Sequence, residues 1–146
     1  MDVVSSVLID CPPRDVHAVV DDLSTYPRWL DIVKSADSVG GPDDLAWNVL
    51  LQARLGPLAR SKRLRMVRRT CTANEVVFER DELDGRSHGS WRLSVTLTPF
   101  LDDVGPTEVT MRLHYSGSMF GAVMEPVLKV EIDKAKGRLV ALVSGQ

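Results

Sequence analysis

The sequence predicts an α+β fold: a curved antiparallel sheet of about seven strands wrapped around a long C-terminal helix, with two short helices after the first strand. Three observations predict it. Ser90–Thr98 and Val109–Ser116 alternate apolar and polar residues at period two, the mark of strands with one covered and one wet face. From about Met119 the apolar period changes to 3.6 and stays there almost to the end. Between the opening strand and the run of strands stands DLSTYPRWLDIV, Asp22–Val33, where a short amphipathic helix gives way to turns.

Val3–Asp10 is β-branched and apolar and reads as the first strand. Pro12 and Pro13 stop it and open a helix, since proline is tolerated in a first turn. Val16, Val19, Val20 and Leu23 then fall on one helical face. Asp21 and Asp22 lie at the wrong end of that helix for its dipole. Ser24 is the expected cap of a second short helix or pair of turns over Ser24–Lys34. Val33–Val39 and Leu45–Arg54 read as strands around the turn cluster Gly40–Asp44, with Trp47, Val49, Leu51 and Ala53 on one face. Arg60–Thr70 is strand-like and basic, and Asn74–Leu83 carries the acids that adjacent antiparallel strands would set opposite it. In the last helix Phe120, Met124, Leu128, Ala135, Leu139 and Leu142 share a side, with a kink expected near Pro126.

A chain of 146 residues reads as one domain, 1–146, that buries roughly 70% of its unfolded surface without staples. Its hydrophobic content of 44% and charged content of 26% are ordinary for a globular protein. A net charge of −2 argues against nucleic acid or anionic membrane as partner. The basic run Arg60–Arg69 lacks interleaved aromatics and reads as a solvated face. No run approaches the ~18 apolar residues of a membrane span, and the start lacks a signal-peptide pattern. Cys11 and Cys71 read as free thiols of a cytoplasmic protein. His17, His88 and His114 form no triad or ligand set by spacing, and no metal or cofactor site is expected.

The early helix, DLSTYPRWLDIV, the basic strand, the two alternating strands and the long last helix together resemble the START-like or SRPBCC superfamily, the helix-grip fold. The small bacterial polyketide cyclase/dehydrase and lipid-transport-like proteins are nearest in pattern. The most specific part is D-L-x-x-Y-P-x-W-L, carried by Asp22, Leu23, Tyr26, Pro27, Trp29 and Leu30. The resemblance implies a hydrophobic small molecule or lipid held between the sheet and the last helix. It also admits an aromatase/cyclase, and a filled core would instead mean a protein-interaction module.

Candidate ligand-binding residues follow. Trp47 and Trp91 would line the cavity and Trp29 would close its mouth, or each would simply fill the core. Met66, Met111, Met119 and Met124 suit an adaptable apolar interior. Tyr26, Phe78, Leu113, Tyr115 and Leu128 complete the expected lining, with Tyr26, Pro27 and Trp29 at its entrance. Glu131 lies between Met124 and Ala135 by helical spacing and is expected to face the cavity, a costly place for an unpaired carboxylate. Arg80 follows Phe78 at period two; it points inward with Phe78 as an anchor for a ligand carboxylate or phenolate, or outward among the acids. Catalysis would need two convergent acid/base groups, and Glu131 with Tyr115 or Arg80 is the set available.

Overall fold

Pro12 ends strand β1 (Asp2–Ile9) in an extended conformation, and Pro13 starts helix α1 (Pro13–Val20), which buries Val16, Val19 and Val20. A 3₁₀ helix follows at Leu23–Arg28. Its cap is Asp22, not Ser24. The Asp22 carboxylate accepts from the Ser24 backbone N–H at 2.9 Å and from its hydroxyl at 2.6 Å. An acid misplaced for α1 thus becomes the start signal of the next helix. In the computed structural model, residues 2–39, 45–55, 57–116 and 124–145 are described. Gly40–Asp44, Gly56, Met119 and Phe120 lie outside them.

Six further strands run β2 (Val33–Val39), β3 (Ala46–Leu55), β4 (Leu58–Thr72), β5 (Glu75–Arg80), β6 (Trp91–Pro99) and β7 (Thr107–Tyr115). With β1 they form one antiparallel sheet in the order β1-β7-β6-β5-β4-β3-β2. The chain therefore crosses from one edge to the other through α1 and the 3₁₀ helix. Register shifts at Val33/Ser35 and Arg68/Thr70 mark bulges, which bend and twist a sheet. The alternation read from sequence holds: Trp47, Val49, Leu51, Ala53, Trp91, Val95, Leu97, Val109, Met111 and Tyr115 are all buried. The basic run of β4 meets acids across the sheet, with Arg69 bonded to Asp81 at 2.6 Å and 3.6 Å from Glu79.

Helix α2 (Met124–Ser144) lies on the concave face, burying Leu128, Ile132, Ala135, Leu139 and Val143. Pro126 falls in its first described turn; a kink there would involve residues outside those described. This is the helix-grip arrangement. No described helix is long and apolar enough to cross a membrane.

Tyr26 joins the layers. It is fully buried, donates its hydroxyl to the Val20 carbonyl at 2.9 Å, and packs on Trp29 at 4.5 Å and edge-on to Phe78 at 6.0 Å. Burial pushes its phenol far above the usual range, so it stays a donor. Tyr26→Phe leaves the buried carbonyl unpaired and should cost about 1–2 kcal/mol in urea denaturation. At the other side of the fold, Arg138 of α2 pairs with Asp31 and holds its carboxyl below the usual carboxylate range. A lowered folded-state pKa stabilises above the ordinary carboxylate value, and that contribution is lost as pH falls through the lowered one. The stability gap between the wild type and Asp31→Asn should therefore be present at neutral pH and close in strong acid.

Candidate functional site

The concave face, the 3₁₀ segment and α2 enclose an apolar cavity of about 70 Å³. One wall is Leu23, Tyr26, Leu30, Ile32 and Val33, the segment between α1 and β2. The floor is Val49, Leu51, Leu64, Met66, Trp91, Leu93, Met111 and Leu113, and α2 covers it with Leu128 and Ile132. Among the described residues only Tyr26 and Trp91 bring a side-chain O–H or N–H to this lining, and the Tyr26 hydroxyl is already bonded to Val20.

Of the residues expected from sequence, Tyr26, Met66, Trp91, Met111, Leu113 and Leu128 line the cavity. Trp47 and Phe78 do not. They pack edge-on at 5.6 Å on the same inner face, beside the floor, and through Tyr26 reach Trp29. Trp29 is fully buried in that block instead of closing a mouth, and its indole Nε1 finds no acceptor among the described residues. The Asp22–Val33 segment accordingly forms a wall. Among the described lining residues, Leu93 and Leu113, paired across β6 and β7, are the two left only partly buried. Tyr115 stacks on Trp91 at 5.2 Å, two pairs along from them, and braces the floor without lining it. Met124 begins α2, but its side chain lies outside what is described.

Glu131 does not face this cavity. Ile132 and Val143, absent from the sequence stripe, turn the buried face so that Glu131 stands roughly 80° round the helix from its centre. Its carboxylate lies 3.8 Å from the Lys134 ammonium and lines an outer groove with Asp31, Lys34 and Arg54. Arg80 takes the inner face, since it pairs with Met66 across β4 and β5. It is not a free anchor. Its guanidinium is 8% exposed and bonds Glu82 at 2.8 Å, the Gly89 carbonyl at 3.3 Å and His88 Nδ1 at 3.3 Å. Lys62, opposite the cavity residue Leu51, stands in the same polar cluster; burial first, then Arg80, pulls its ammonium below the usual lysine range. The sequence signal that could have found it is the same alternation that placed Leu64 and Met66 inward, continued one step back.

A sheet gripping a terminal helix over an apolar cavity defines a class of binding fold. The chain belongs to the family described as polyketide cyclase / dehydrase and lipid transport, whose model matches residues 1–144. It is similar in structure to a conserved protein from Geobacillus kaustophilus, with 14% identity, TM-score 0.77 and coverage of 99% of this chain and 96% of that one. It is also similar to the Zhui aromatase/cyclase from Streptomyces sp. R1128, with 12% identity, TM-score 0.68 and coverage of 99% and 93%. A START superfamily protein from Mycobacterium smegmatis matches with 12% identity, TM-score 0.66 and coverage of 99% and 97%. No curated protein matches the chain.

Truncation of the floor tests the cavity's boundaries. Met111→Ala should destabilise the protein by about 2–5 kcal/mol and enlarge the space, measured by denaturation together with xenon uptake.

Proposed function

We propose that this protein binds a hydrophobic small molecule or lipid between the sheet and α2, as a carrier or a sequestering protein. The observation that carries the reading is the chemistry of the lining: fifteen described residues, all aliphatic, aromatic or methionine, in the hollow of the grip. Ligand pockets run about 300–1,000 Å³. A cavity of about 70 Å³ therefore admits such a guest only by yielding. Met66 and Met111 supply side chains that re-form around different shapes, and the half-buried Leu93–Leu113 pair is the place where the wall gives way. Burying ~300 Å² of apolar ligand surface yields about 7 kcal/mol before the costs of association and opening. A purely apolar guest is therefore held more weakly than about 1 μM, and tighter binding needs a polar anchor.

The arrangement favours binding over cyclase chemistry. No pair of acid/base groups converges on the cavity among the described residues: Glu131 lies in the outer groove, and Arg80 is held by Glu82. Lys62, at the edge of the floor, is the cation we assign to the polar end of an amphipathic guest. Two free cysteines, one of them exposed, support a cytoplasmic location.

Displacement of an environment-sensitive apolar dye by long-chain fatty acids and by aromatic polyketides tests the proposal, beside native mass spectrometry of gently purified protein. Micromolar displacement is expected. Leu113→Trp, in that half-buried pair, should weaken it about tenfold with the fold intact by circular dichroism. Failure of both ligand classes to displace the dye at their solubility limits would sink the reading.

A further inference from the structure

A second cluster of chemically active side chains lies away from the cavity, where α1 meets the β4–β5 turn. Cys71 near the end of β4 is exposed, and its Sγ is 3.7 Å from His17 Nε2 on α1. The same Nε2 is 2.8 Å from the Thr72 carbonyl. A carbonyl oxygen only accepts, so Nε2 carries the proton. His17 Nδ1 faces the Asp21 carboxylate at 3.7 Å, and Asp21 in turn lies 3.8 Å from the Arg68 guanidinium. Burial pushes the Asp21 carboxyl up, while His17 and Arg68 pull it down. The thiol thus sits exposed beside an imidazole N–H whose far nitrogen is backed by a carboxylate, so that a thiolate formed there meets a hydrogen-bond donor. Cys11, the other thiol, is half-buried, and its one hydrogen-bonding neighbour among the described side chains is the Ser144 hydroxyl at 4.0 Å.

A surface pocket of about 440 Å³ lies beside this cluster and shares His17 with it; Pro13, Arg14, Ala73 and Asp103 complete its lining. It offers one cation and one carboxylate across an apolar ledge, which matches the paired charges of an amino-acid-type thiol.

We propose that Cys71, His17 and this pocket form a thiol–disulfide exchange site for a small zwitterionic disulfide. The Cys71 thiolate attacks one sulfur of the disulfide. A new S–S bond forms and the old one breaks; the proton that Cys71 gives to solvent on becoming a thiolate is matched by one the departing thiolate takes from solvent, while the His17 N–H stays on the Thr72 carbonyl beside the sulfur. The protein gains one mixed disulfide and one small thiol is released, with no other oxidant. Arg14 and Asp103 orient the charged ends, and Asp21 acts through His17 as a positioning residue.

The test is exchange of the folded full chain with oxidised glutathione, with cystine and with neutral hydroxyethyl disulfide, followed site by site by peptide mass spectrometry. Cys71 should react at least tenfold faster than Cys11 and faster than Cys71 in the urea-unfolded chain. His17→Gln keeps a donor for the Thr72 carbonyl but removes the imidazole ring beside the sulfur. It should slow Cys71 at least fivefold and leave Cys11 unchanged. Arg14→Gln, on an exposed side chain, should slow the two zwitterionic disulfides and not the neutral one. Equal rates at Cys71 in folded and unfolded chains, or an unchanged rate in His17→Gln, would overturn the site. An Arg14→Gln effect that is absent or the same for all three disulfides would overturn the pocket's part in it.

Discussion

Tyr26 is the constraint from which the rest of the arrangement follows. A sheet whose first and second strands lie at opposite edges needs a crossing segment, and that segment must be fixed to the concave face. One side chain does most of this. Its hydroxyl closes the end of α1 at the Val20 carbonyl, its ring locks against Phe78 on β5 and Trp29, and one flank remains on the cavity. The Asp22 cap sets where the 3₁₀ turn begins, so Tyr26 arrives in register with Phe78. With the crossing pinned there, Leu30, Ile32 and Val33 become a wall and the hollow acquires its third side.

The aromatic block and the cavity divide the interior between them. Trp47, Phe78, Tyr26 and Trp29 pack in a chain of edge-on and tilted contacts at 4.5–6.0 Å, which gives a rigid half. The other half is leucine, isoleucine, valine and methionine, whose side chains re-pack at smaller cost. A guest admitted past Leu93 and Leu113 therefore deforms the aliphatic half and leaves the anchor of the crossing untouched. Stability and accommodation are carried by different residues of one core.

The fold was legible because strand alternation and helical period each rest on many residues. Trp91, Val95, Leu97, Val109 and Met111 announce their face together. Side-chain orientation at single positions was less legible. A stripe read on α2 without Ile132 and Val143 has its centre near Glu131, whereas the buried face that includes them leaves Glu131 in the outer groove. Aromatic content alone does not tell a mouth from a packed block, and Trp29 belongs to the block. Eleven of the described lining residues are ordinary aliphatics that composition cannot single out, while Tyr26, Met66, Trp91 and Met111 stand out by type. Arg80 was open between two faces because period two gives the face but not the partner; Glu82 and His88 reach it from the loop that follows β5.

The same bookkeeping of partners decides between holding a guest and transforming it. A general acid or base must have a proton-transferring atom free to meet the substrate. The Tyr26 hydroxyl is committed to Val20, and the guanidinium of Arg80 is divided among a carboxylate, a carbonyl and an imidazole. These polar groups hold the walls and the β5–β6 loop in place, and withdrawing any of them would leave a buried charge or carbonyl unpaired. Shape and apolar surface are what the cavity itself presents. Selectivity in such a site rests on how far the aliphatic wall yields and on the cation at its edge, Lys62, whose partial burial makes an anionic end group the most favourable thing to set beside it.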